Sequence, residues 1–186
     1  APKGVGALYI RRKNPRVNII PLLHGGAHEN TKRSGTLNVP SIVGLGKACE
    51  LAQLEFWENN AHISKIRGYI EHQLLDIPDF RINGSTRYRL YNTSNLYFPK
   101  LKSGDSLFSK IKSNYAVALG SACTSANTES SHVLKAMGLS KEEAENSIRI
   151  SLSKFNTLEE MEQLVKTIFN IYEIELPSQV IIKKKL

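Results

Sequence analysis

Between Pro40 and Pro78 the chain carries no proline, and within that stretch apolar residues recur at Ile42, Leu45, Cys49, Ala52 and Phe56 with helical spacing. This predicts one long helix, or two in series, over residues 40–75. A helix of about 30 residues spans about 45 Å at 1.5 Å per residue, more than a compact domain needs, so it is expected to bridge two domains. Gly68 is the expected break. The texture of the chain changes along this stretch, and the domain boundary is placed near residue 58, dividing residues 1–57 from residues 58–186.

Composition sets the class around that helix. The 186 residues are 41% hydrophobic and 23% charged, with twelve Gly and seven Pro spread along the chain, which excludes collagen-like, mucin-like and wholly disordered proteins. No apolar run approaches the roughly 18 residues of a membrane span, and residues 1–20 lack the pattern of a signal peptide. A soluble, cytoplasmic protein is the expectation. Cys49 and Cys123 lie too far apart and are too few for the disulfide framework of a small secreted domain, so a reducing compartment fits. The net charge is +8, yet the basic residues are scattered through Arg11-Arg12-Lys13, Arg16, Lys32-Arg33 and the lysine tail, without a nucleic-acid-binding motif. They read as a solvated face that can steer acidic partners. The first residue is Ala, and the chain opens directly into a turn and a strand-like run, which reads as the interior of a longer protein.

Residues 5–10 and 17–23 are strand candidates around the turn at Asn14-Pro15 and read as a hairpin. Residues 24–36 (HGGAHENTKRSGT) have no periodicity; a loop this long favours a functional role. Beyond Pro78, short strands are expected over 79–82, 91–98 and 115–119, with a helix over 105–112. A short helix over 131–137 is closed by Gly138, and Ser140 with Glu143 has the form of a capping box. Residues 147–153 alternate as a half-buried strand. Thr157 with Glu160 begins a last helix, whose apolar stripe is Met161, Leu164, Val165, Ile168 and Tyr172.

Three residue types carry chemistry. Cys123 sits in the small-residue turn Gly120-Ser121-Ala122-Cys123-Thr124-Ser125, where nothing bulky anchors the segment or blocks the sulfur. It is either a small hydrophobe in a turn or a thiolate nucleophile on a loop. Cys49 falls on the helical stripe and reads as a packing residue. Arg149 projects from the polar side of its strand, as a surface arginine or as a rigid fork that clamps a carboxylate. His24 and His28 have helical metal-ligand spacing, but Gly25 and Gly26 between them disfavour a helix, so no metal site is expected.

Taken together, Pro2-Lys3-Gly4-Val5-Gly6-Ala7-Leu8-Tyr9, His24-Gly25-Gly26-Ala27-His28-Glu29, Arg33-Ser34-Gly35-Thr36-Leu37, the Cys123 turn, Ser131-His132-Val133-Leu134-Lys135-Ala136-Met137-Gly138-Leu139 and Ser147-Ile148-Arg149-Ile150-Ser151-Leu152 resemble the C-terminal half of the cysteine desulfurases of the NifS/IscS type, within the class-V aminotransferases. The resemblance runs from residue 1 to about residue 170.

This resemblance implies an α/β chain, the C-terminal part of the fold-type I pyridoxal-phosphate-dependent transferase fold. Residues 1–57 would be the end of the cofactor-binding large domain with the start of the bridging helix, and residues 58–186 an α+β small domain. The implied enzyme is a homodimer that uses pyridoxal 5'-phosphate to convert L-cysteine to L-alanine and keeps the sulfur as a persulfide. It would pass that sulfur to an acceptor protein such as an iron–sulfur scaffold. Cys123 matches the persulfide-forming nucleophile, Arg149 the arginine that binds the substrate carboxylate, and Thr36 the threonine that reaches the cofactor phosphate of the partner subunit. The family's cofactor-binding lysine lies shortly before the Pro2-Lys3-Gly4 turn, so this chain is expected to lack it and to need the N-terminal half for activity. Lys3 belongs to the turn and does not match that lysine. Asn30 stands where many relatives carry Arg. The competing expectations are a truncated module that retains only a sulfur-acceptor or dimerisation surface, and a basic nucleic-acid-binding module.

Overall fold

The computed structural model describes residues 1–119 and 130–175. The chain divides into two compact units, residues 1–57 and 58–186.

Unit 1 is mostly irregular. The segments read as a hairpin form no strands, and a single backbone hydrogen bond, from Val17 N–H to the Arg11 carbonyl at 2.9 Å, joins them. Extended backbone becomes a strand only when a ladder pairs it, and these residues have no such ladder. The unit's one helix, α1 (Val39–Leu54), starts at Asn38, whose side chain accepts from the Ser41 N–H at 3.3 Å. Proline stands within its first turn, where a missing N–H costs nothing. No residue of α1 is buried. Cys49, read as a packing residue, is exposed: the more covered side of the helix carries Gly44, Leu45 and Ala48 instead.

The long proline-free stretch is two helices in series. The break is at Glu55, not Gly68, and α2 (Phe56–Leu74) passes through Gly68 without interruption. Gly68 is exposed with open space where a Cβ would be, so it weakens the helix by about 1 kcal/mol without ending it.

Unit 2 has the core. Its sheet contains β1 (Arg81–Ile82), β2 (Thr93–Tyr97), β3 (Ala118–Leu119) and β4 (Ser147–Ser151), in the order β1-β2-β4-β3 and antiparallel throughout. Helices α3 (Leu107–Ile111), α4 (His132–Ala136), α5 (Lys141–Glu145) and α6 (Leu158–Tyr172) complete it. One sheet face is apolar: Leu96, Ile148 and Ile150 pack with Ile63, Ile66, Ile70 and Leu74 of α2 and with Met161, Leu164, Val165, Ile168 and Phe169 of α6. Each fully buried side chain of this size is worth about 1.5–3 kcal/mol. Both capping boxes expected from the sequence form, Ser140 with Glu143 on α5 and Thr157 with Glu160 on α6. Gly138 has φ +92°, a left-handed conformation in which a side chain is strained.

Candidate active site

The other face of the unit 2 sheet is polar, and strand alternation sets it. In β4, Ile148 and Ile150 point into the core, so Arg149 between them points outward and is exposed. It has no hydrogen-bond or ion-pair partner among the described residues. A guanidinium held on a central strand without a partner can receive a carboxylate in two parallel hydrogen bonds.

Arg149 stands in a row across the sheet. Its register partner on β2 is Asn95 and on β3 is Ala118. Asn83, just past β1, pairs with Asn95 through a backbone bond of 2.8 Å. The Asn83 side-chain amide donates to Asn95 Oδ1 at 2.6 Å and to Ser147 Oγ at 2.9 Å, and Ser147 Oγ donates to the Glu143 carbonyl at 2.7 Å. On the same face, Arg81 donates to Glu143 Oε1 at 2.5 Å and lies over the Tyr97 ring at 4.5 Å. The Arg81 bond, followed by the Ser140 capping bonds, holds the Glu143 carboxyl at about 2. An open groove of about 210 Å³ lies beside them, lined by Arg81, Asn83, Met137 and Glu143 among others.

Support comes from beneath the sheet. Glu71 of α2 is buried and accepts from Nη1 and Nη2 of Arg89 at 2.6 Å each, together with the Ser94 hydroxyl; Arg67 Nε lies 3.8 Å from it. Arg67 also donates to the Leu90 carbonyl at 2.9 Å. Burial, then the nearby Arg89 charge, lowers the Arg67 pKa from its ordinary value. The cluster ties residues 89–90 and β2 to α2. Sequence reasoning passed over Glu71, Asn83 and Asn95. A carboxylate next to Ile70 in an apolar stripe, four residues after Arg67, was the available signal for Glu71.

Thr36 lies in unit 1 and is exposed. Its carbonyl and that of Gly35 accept from Arg33 Nη1 at 3.1 and 2.9 Å, which folds the loop back on itself. Ser34 Oγ donates to the Gly26 carbonyl at 2.7 Å and ties the two ends of the glycine-rich segment together. Thr36 thus presents an exposed hydroxyl two residues before the N-cap of α1, with an arginine beside it. A hydroxyl donor, a cation and a helix N-terminus are a donor set that fits a phosphate. Cys123 and its turn lie outside the described residues. Among the described residues no cluster of three or more His, Cys, Asp and Glu side chains could hold a metal ion, and no helix is long and apolar enough to cross a membrane.

The family model described as Aminotransferase class-V matches residues 1–164. The chain belongs to the class-V aminotransferase family. Within this family its likeness is to cysteine desulfurases of the NifS/IscS type. It is 44% identical over 164 residues to the cysteine desulfurase IscS of Mannheimia succiniciproducens, covering 88% of this chain and 40% of the relative. It is 46% identical over 170 residues to the cysteine desulfurase IscS of an Anaeromyxobacter species, covering 90% of this chain and 41% of the relative. Among solved structures, the NifS-like protein from Rickettsia africae superposes with a TM-score of 0.70 at 33% identity, over 85% of this chain and 41% of that one. The chain therefore spans about 40% of the length of the curated relatives it matches. Class-V aminotransferases of this type are pyridoxal-phosphate enzymes, and the α/β architecture is part of the fold-type I fold.

Proposed function

We propose that this class-V aminotransferase chain is the part of a cysteine desulfurase that binds the substrate carboxylate and carries the sulfur acceptor. The exposed, unpartnered Arg149 on the polar sheet face carries the reading. Arg149 binds the α-carboxylate of L-cysteine in two parallel charge-assisted hydrogen bonds. The Thr36 hydroxyl reaches the phosphate of pyridoxal 5'-phosphate held by the partner subunit of a homodimer. Pyridoxal phosphate, when bound, supplies an electron sink for charge developing on the substrate carbon skeleton. The Cys123 thiolate attacks the substrate sulfur: the carbon–sulfur bond breaks, a sulfur–sulfur bond forms, and the electron pair left on carbon is protonated to give L-alanine. The persulfide on Cys123 then passes to an acceptor protein, such as an iron–sulfur scaffold. The exposed basic turn Arg11-Arg12-Lys13 and Arg16 favours an acceptor with an acidic face.

Steady-state kinetics of the holoenzyme test this reading. Losing a charge-assisted pair costs about 2–4 kcal/mol, so Arg149→Ala lowers kcat/KM for L-cysteine about 30- to 1,000-fold, and Arg149→Lys restores only part. An unchanged kcat/KM with a lowered melting temperature would make Arg149 a structural residue and overturn the assignment.

A further inference from the structure

The direction of three hydrogen bonds fixes more of the site than Arg149. A carbonyl oxygen can only accept, so the bond between Ser147 Oγ and the Glu143 carbonyl at 2.7 Å uses the single Ser147 proton. Ser147 Oγ must then accept from Asn83, at 2.9 Å, which turns the NH₂ of Asn83 toward it. The same NH₂ meets Asn95 at 2.6 Å, so Asn95 presents its oxygen there. The relay leaves the NH₂ of Asn95 with no hydrogen-bond partner among the described residues. Asn95 is also the direct cross-strand partner of Arg149 on the same face, which puts their Cβ atoms roughly 4.5–5.5 Å apart. On the other side of Arg149 the register partner is Ala118, which offers no polar group.

From this juxtaposition we infer that Asn95 donates a further hydrogen bond to the substrate carboxylate that Arg149 holds, and that Asn83 and Ser147 are positioning residues that set its amide orientation. A carboxylate has about four acceptor sites, and a guanidinium fork fills two of them. An amide NH₂ beside the fork can fill a third without adding charge. The inference rests on the assignment of Arg149 made above. It adds specificity for an α-carboxylate over a plain amine, with the orientation decided by the Glu143 backbone carbonyl in the middle of α5.

The test compares L-cysteine with cysteamine, which has the same amine and thiol but no carboxylate, on the holoenzyme. Asn95→Leu keeps the size and removes the donor. It should raise KM for L-cysteine about 10- to 100-fold and leave cysteamine unchanged, because only the former has a group to bind. Should Asn95→Leu fold poorly, Asn95→Asp keeps the bond from Asn83 while removing the free NH₂, and should show the same cysteine-selective loss. Asn83→Ala should show a smaller loss of the same kind, about 3-fold; an unchanged cysteine-to-cysteamine ratio there overturns its positioning role. Equal losses for both compounds in the Asn95 variants would mean a structural role and overturn the inference. Unchanged cysteine kinetics in those variants, alongside a strong defect in Arg149→Ala, would overturn the inference and leave the Arg149 assignment standing. Unchanged cysteine kinetics in Arg149→Ala would overturn both.

Discussion

Buried Glu71 shows how an isolated-looking charge can be the most constrained residue of its helix. Two arginines and a serine converge on its carboxylate, and removing it leaves guanidinium groups in the interior without their acceptor. Glu71→Ala should therefore destabilise the protein by about 3–5 kcal/mol, and denaturant unfolding should show a lowered midpoint with little change in slope. A loss below about 1 kcal/mol would mean that water replaces the carboxylate. Cys123 and Cys49 make a second contrast at this scale. Cys123→Ser should abolish cyanide-labile sulfur in the holoenzyme while cofactor absorbance remains, and Cys49→Ala should leave both intact. The reverse result would transfer the nucleophile to Cys49. Single residues were legible in the sequence where a period exposed them: Arg149 sits between two isoleucines, and strand alternation alone turns it outward. Asn95 was not legible, because its importance comes from a partner twelve residues away and a third on another strand.

At the level of elements, local signals predicted what local physics determines. The two capping boxes form, and the stripe Met161, Leu164, Val165 and Ile168 is buried as spaced. The hairpin of residues 5–23 does not form, since alternating sequence cannot supply a ladder. The helix break moved from Gly68 to Glu55, because an exposed glycine has no packing to lose. Glu143 gives α5 a pH signature. Its carboxyl is held at about 2 against an ordinary value of 4.5, so the ionised form is favoured by folding. A depressed folded value means that its contribution is fully present above about pH 4.5 and is lost as the pH falls from there through about 2. Glu143→Gln should therefore be less stable than the parent at pH 7, and the difference should shrink as melting temperatures are followed down this acid range. A difference that stays constant with pH would show that the Arg81 and Ser140 contacts do not depend on charge. Thr157→Ala, which removes the N-cap of the long α6, should cost about 1 kcal/mol, read as a shift in denaturant midpoint.

Across the whole molecule, the two units differ in what they bury. Unit 2 has a continuous core, whereas unit 1 leaves Leu8, Tyr9, Ile20, Leu22 and Trp57 exposed, Leu22 to 95%, around a helix with no buried residue. Amide hydrogen exchange on the 186-residue chain should find slow exchange in β2, β4 and α6 and fast exchange throughout residues 1–54; comparable protection in both regions would contradict the contrast. The exposure of unit 1 was not visible in sequence, because apolar composition says nothing about which atoms meet. Sheet order has its own bearing on how such a chain associates. Among the described residues, the two-residue strands β1 and β3 stand at the edges of the sheet, and the five-residue strands β2 and β4 lie between them. At the β1 edge, two residues offer few free backbone groups to template a foreign strand, so growth of a cross-β stack from that edge is disfavoured.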